Sequence, residues 1–159
     1  MRLVHVLEEE VMIILFFYQI ALAGPNCSLE NCPEEEEQKS ELSVSNQPLQ
    51  SCSTDPMTGF YRDSYCRTGS EDRGIHVVCA TMTQDFLSYT KSKGNDLSTP
   101  APRYGFPGLK VGDRWCLCAR RWEEAQNAGK APLVILEATS KAALRTLSIS
   151  LLKKHAHNP

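Results

Sequence analysis

"IHVVCATMTQDFLSYTKSKG", residues 75 to 94, decides how this chain is read. From Ile75 to Met82 the residues are β-branched and mostly apolar, the pattern of a buried strand. Thr83 then offers a hydroxyl suited to capping a helix, and Phe86, Leu87 and Tyr89 or Thr90 build one apolar face before Gly94 closes it. A buried strand joined directly to an amphipathic helix predicts a layered domain in which strands and helices share one core.

Working towards the C-terminus, "NDLSTPAPRYGFPGLKVGD" (95–113) carries prolines at 100, 102 and 107 and glycines at 105, 108 and 112. It can be neither helix nor central strand. Leu97, Tyr104, Phe106 and Leu109 are its apolar anchors, and ordered loops of this length inside a compact domain tend to be functional. "RWCLCA" reads as a second strand, and "RRWEEAQNAG" as a helix whose Trp122, Ala125 and Ala128 share a face before Gly129. "APLVILEAT" reads as a third strand, the most apolar in the chain. Thr139 is placed to cap a short helix in "SKAALRT", and "SLLKKHA" makes a last one with Lys153, Lys154 and His155 near its C-terminal end. The expectation is a single α+β domain over residues 47–157. It has a small central sheet (strands near 75–82, 114–119 and 132–138) with flanking helices and long proline- and glycine-rich loops.

Towards the N-terminus, "CSTDPMTGFYRDSYCRTGSEDRG" is turn-rich, with Asp55-Pro56, Gly59, Gly69 and Gly74 as punctuation and Phe60-Tyr61 suited to a short hairpin strand. Further out the composition changes. Residues 1–44 hold two basic and nine acidic residues, which leaves 15 of the 17 basic and 10 of the 19 acidic ones for the remainder. "VMIILFFYQIALA" (11–23) has the length of a signal-peptide apolar region and an Ala-Leu-Ala ending, but Glu8, Glu9 and Glu10 precede it where positive charge belongs. The readings are a signal peptide over 1–23, and a disordered linker over 24–46 that contains the acidic run Glu34 to Glu37. A working leader implies the secretory pathway; without one the chain is cytoplasmic or organellar. The apolar run is too short to span a bilayer comfortably. In the domain, arginines interleave with aspartates rather than forming a one-signed stripe, so nucleic acid is not an expected partner.

The strings "CSTDPMTGFYRD", "GIHVVCATMTQDFL", "GNDLSTPAPRYGFPGLKVGDRWCLCARRWEEA" and "AGKAPLVILEAT", in this order and spacing, resemble an uncharacterised family, domain of unknown function 2237, found mainly in bacteria and photosynthetic eukaryotes. The resemblance runs from about Gln47 to about His157 and brings no established activity, cofactor or partner. It implies reduced thiols, because the bacterial members resemble leaderless intracellular proteins. Two departures stand out: the first 44 residues are extra, and Ser64 occupies a position where the family motif has glycine.

Seven cysteines are present. Cys27 and Cys32 lie in the tail, while Cys52, Cys66, Cys79, Cys116 and Cys118 lie in the domain, and five cannot all pair with one another. On a strand Cys116 and Cys118 share a face with Cα atoms about 6.5–7 Å apart, which makes them poor disulfide partners. Cys79, Cys116, Cys118 and His76 form a candidate zinc set, but His76 and Cys79 are three apart and face opposite sides of an ideal strand. Only a bulge, or a strand beginning after His76, brings both to one ion. The plain alternative is that these cysteines are small buried apolar residues.

A reactive thiol at Cys116 or Cys118 has Arg120 and Arg121 and a helix start close in sequence, and His76, Asp72 and Asp96 are acid–base candidates. Turn chemistry alone accounts for Asp55 and Asp113. The glycine-rich "GFPGLKVGD" lacks the lysine-serine/threonine ending of a phosphate cradle, and no dinucleotide glycine pattern occurs. Two functions follow as expectations: a small binding or structural domain, metal-linked through Cys and His, or a small thiol- or acid/base-dependent enzyme with a pocket under the 94–113 loop.

Overall fold

In the computed structural model, which describes residues 41–157, the stretch from Ile75 to Gly94 forms strand β1 (His76–Thr81) and helix α1 (Gln84–Ser92). The leader expected over 1–23 and most of the linker expected over 24–46 lie outside the described residues. Thr83 caps α1, its hydroxyl accepting the Phe86 N–H at 3.2 Å, and Gly94 follows with φ +79°. Phe86, Leu87 and Thr90 are the buried face. Tyr89 is only partly buried, and its hydroxyl reaches the Glu124 carbonyl.

Strand β2 (Arg114–Cys118) pairs antiparallel with β1 and runs without a break into helix α2 (Ala119–Asn127). Ala119, Trp122 and Ala125 form the buried stripe of α2, and the buried Trp122 indole donates to the Pro132 carbonyl. Helix α3 (Ile149–Lys154) is capped by Ser148, whose hydroxyl accepts the Leu151 N–H. Among the described residues no helix is long and apolar enough to cross a membrane.

The α+β reading holds, with a smaller sheet than expected. Among the described residues it has two strands, because the third expected strand, near 132–138, reduces to single bridges from Val134 to Ala80 and to Ala156. Its segment does lie along β1: Thr81 N–H donates to the Leu133 carbonyl and Ile135 N–H to that of Cys79. Pro132 has no N–H to extend the ladder, and at Leu136–Ala138 the chain tightens into a 3-10 turn. Phe60 and Tyr61 sit in turns rather than a hairpin strand. The helix expected to be capped by Thr139 is a 3-10 helix, Lys141–Arg145, capped by Ser140.

The domain also starts earlier than Gln47. Val44 N–H donates to the Thr139 carbonyl and Lys141 N–H to that of Leu42, so the 41–50 segment is tied to the 137–141 segment.

The register positions the site. His76 opposes Cys118, Val78 opposes Leu117, Cys79 opposes Cys116 and Ala80 opposes Trp115, with an irregularity between His76 and Val78. That bulge inserts one residue, Val77, and restores His76 to the same face as Cys79. Val78, Ala80, Trp115 and Leu117 face the main core with Phe86, Trp122 and Leu152. The opposite face carries Cys79 and Cys116, packed with Cys52, Cys66, Ala138 and Ile135.

Candidate functional site

The site is built on the turn that delivers the chain to β1. Asp72 has a fully buried carboxylate that accepts four hydrogen bonds. Oδ1 takes the Gly74 N–H at 3.1 Å and the His76 ring at 2.6 Å; Oδ2 takes the His76 N–H at 2.7 Å and the Thr68 hydroxyl at 3.0 Å. Burial by itself pushes the Asp72 carboxyl up, but these bonds, led by the His76 N–H and the His76 ring, hold it below the ordinary aspartate range. An ionised carboxylate can only accept, so His76 Nδ1–H is the donor of this pair, and in a neutral imidazole Nε2 is then the acceptor nitrogen.

Two further features fix that ring. Phe60 stacks on it with centroids 6.2 Å apart and planes 17° from parallel. Gly74 passes so close that a Cβ there would lie 2.3 Å from the ring's Cε1. Between Gly74 and His76, Ile75 has φ +53°, a left-handed conformation rare for a β-branched residue. Its carbonyl accepts the N–H of Ala119, the first residue of α2, and that of Val77. The strained residue thus joins the Asp72 turn, the start of β1 and the start of α2.

Directly across from His76, at the bulged end of the ribbon, stands Cys118. Cys118 is the free cysteine of the described residues, half-buried, and it occupies the cap position of α2 without making a side-chain cap hydrogen bond. Its thiol is therefore uncommitted, next to the positive end of a helix dipole. His76, Cys118, Asn95, Leu97, Trp115 and Arg121 are among the residues lining a pocket of about 230 Å³. Asn95 and Leu97 come from the 94–113 loop, held against Leu109 by a 2.8 Å backbone bond. Arg121 also pairs with Glu124 at 2.9 Å.

The other candidates separate from this centre. Cys79 is disulfide-bonded to Cys52 and Cys116 to Cys66, against the expectation of reduced thiols. The zinc set of Cys79, Cys116, Cys118 and His76 is thus not assembled here, since two of its four ligands hold their sulfurs in bonds to loop cysteines. Cys116 likewise has no thiol to act as a nucleophile in this state. Asp96 is consumed by its own loop: it accepts from Thr99, Lys91 and Ser98, and these bonds, the Thr99 hydroxyl foremost, hold its carboxyl far below the usual range. Asp113 closes a turn by accepting the Lys110 N–H. Tyr104, expected as a loop anchor, is 70% exposed with Arg103 over its ring, whereas Leu109 is buried.

The model of a family described as an uncharacterised protein conserved in bacteria, domain of unknown function 2237, matches residues 42–156. The chain belongs to this family. No curated protein matches it. Membership of domain-of-unknown-function family 2237 covers the whole described domain, including the Asp72–His76 turn, the 94–113 loop and Cys118. At Ser64, read as a glycine position of the family motif, φ is +75°, the left-handed conformation that glycine adopts without strain. Thr68 joins the site with no signal in the sequence, and Phe60 and Gly74 join it from positions whose sequence signal is only that of strand and turn. Gly74, two positions before a candidate histidine, was the one open to a further reading, since glycine permits close approach to its backbone.

Proposed function

We propose that the domain is a small thiol-dependent enzyme in which Cys118 is the nucleophile, His76 its general base and Asp72 the group that orients the base. The carrying observation is the uncommitted Cys118 thiol opposite a histidine whose Nδ1 is held by a buried carboxylate. Nucleophile, base and orienting acid is the arrangement of covalent catalysis on several unrelated folds. His76 Nε2 accepts the thiol proton, and the sulfur attacks an electron-poor carbon of a substrate small enough for the pocket. The chemistry this suits is acyl transfer, because charge then develops on a carbonyl oxygen beside the N-terminus of α2, where backbone N–H groups stabilise it. The strained Ile75 supports the same reading, as left-handed β-branched residues persist where the surrounding structure holds them for a purpose.

The test is the rate at which iodoacetamide alkylates Cys118 in the intact chain, read by peptide mass spectrometry between about pH 5 and 9. The wild-type thiol is expected to react about tenfold faster near neutral pH than that of His76→Gln, with Gly74→Ala also slowed because its new methyl displaces the imidazole. Identical profiles in wild type and His76→Gln would sink the proposal.

A binding or structural domain is the second reading, favoured by the buried sulfur cluster on the same face of the ribbon.

A further inference from the structure

Cys52, Cys66, Cys79 and Cys116 come from four separate stretches: two loop positions, the middle of β1 and the middle of β2. Two disulfides in a domain have no need to touch, yet here they form a single cluster. The sulfurs of Cys52, Cys66 and Cys116 all lie within 4.8 Å of one another, and that of Cys79 is bonded to Cys52. The cause is the register: Cys79 and Cys116 oppose each other across the ribbon, and each is bonded to a loop cysteine rather than to its neighbour. Three of the four sulfurs thus lie close together, and the fourth is bonded to one of them.

We propose that reduction of both disulfides converts this cluster into a four-thiolate site for one soft divalent ion of the zinc class. The proposal concerns a different set of residues from the Cys118 centre and does not rest on it. A dithiol reductant passes two electrons and two protons to each disulfide and leaves as its own disulfide. The four thiols then lose four protons as they ligate one Zn²⁺.

Three observations support this site. Tetrahedral zinc with bonds of about 2.3 Å sets its sulfurs about 3.8 Å apart, a spacing close to that of the three sulfurs within 4.8 Å of one another, and Cys79 has to swing in as its bond to Cys52 opens. The four cysteines are between 0% and 3% exposed, and their neighbours Ile135 and Ala138 bring no competing oxygen ligand. Thr58, fully buried, accepts the Cys116 N–H at 2.9 Å, while its own hydroxyl proton meets no protein acceptor among the described residues. The Thr58 hydroxyl is thus a donor beside the Cys116 backbone, the kind of group found around structural metal ligands. Disulfides are rare in reducing compartments, and there the same four positions become four thiols in one buried cluster.

The full-length chain, reduced with a water-soluble phosphine under nitrogen, is titrated with Co²⁺ and then Zn²⁺. The expected result is one Co²⁺ per chain, with the thiolate charge-transfer and visible bands of a tetrahedral sulfur site, displaced by one Zn²⁺. The unreduced chain should bind none. The bands should vanish in Cys52→Ser with Cys66→Ser and persist in Cys118→Ser and in Cys27→Ser with Cys32→Ser. If reduction alone unfolds the domain, zinc should restore its far-ultraviolet circular dichroism, since metal binding is then coupled to folding. The proposal is overturned by a reduced chain that shows no such bands, by bands that depend on Cys118 or on the Cys27/Cys32 pair, or by an unfolded reduced chain that zinc does not rescue.

Discussion

Cys79–Cys116 and His76–Cys118 are successive cross-strand pairs on the same face of one two-stranded ribbon, yet they end in opposite states. The first pair is sealed: both residues are at most 1% exposed, covered by Cys52, Cys66, Ile135 and Ala138, and bonded to the loop cysteines. The second is open: the His76 side chain is 39% exposed, Cys118 is half-buried, and a pocket that reaches as far as Cys116 lies against both. Covering segments make the difference. The 52–66 loop folds over the middle of the ribbon and reaches its end through Phe60 on the His76 ring, where β1 bulges and β2 turns into α2, which leaves a gap. A cysteine's role in this protein is set by what covers it, since neighbouring positions on one face differ in little else.

The sharpest way to break this comparison is to remove chemistry from each end in turn. Removing one of the two bonds that tie the sealed pair to the loop, by Cys66→Ala with Cys116→Ala, opens a crosslink of sequence separation 50 and should lower unfolding free energy by about 4 kcal/mol, measured by denaturant titration. Cys118→Ala in the same assay should cost far less, and an equal loss would show that the open end is structural too.

Asp72→Asn comes next, at about 2 kcal/mol near neutral pH, because an amide cannot accept the four bonds that the buried carboxylate does. The carboxyl is held below its unfolded value, so its contribution is full above the ordinary aspartate pKa of about 3.9 and is lost as pH falls through the lower folded value. Stability curves of wild type and variant should therefore run parallel above about pH 5 and converge on acidification, and a constant gap down to strong acid would refute this account of Asp72.

The smallest effect belongs to the loop that covers the sealed end. Ser64 sits at φ +75° and its carbonyl accepts the Cys52 N–H at 2.8 Å, so Ser64→Gly should stabilise by about 0.5–1 kcal/mol. A measurable loss instead would mean that the serine side chain itself holds the loop.

Much of this was legible locally. Thr83 as a cap, Gly94 and Gly129 as stops, the buried faces of Phe86 and Leu87 and of Trp122 and Ala125, and the poor prospects of a Cys116–Cys118 bond all follow from spacing and side-chain type. The third strand was over-read because apolar, β-branched composition marks burial as readily as pairing, and Pro132 with the turn at Leu136 shortened the ladder. The site was half legible. His76, Asp72 and Cys118 were candidates among others, but Asp96 has the same chemistry and proved to be a turn residue, as Asp113 was expected to be.

The sequence by itself determined most of the elements, their order and the inventory of reactive groups, because capping, periodicity and turn preference act between residues close along the chain. Only the tertiary structure decided which sulfurs meet and which histidine faces a free thiol. Disulfide partners lie 27 and 50 residues apart, and a single bulged residue at Val77 sets which face His76 presents. Such outcomes depend on register and on long-range contact, which no local pattern encodes.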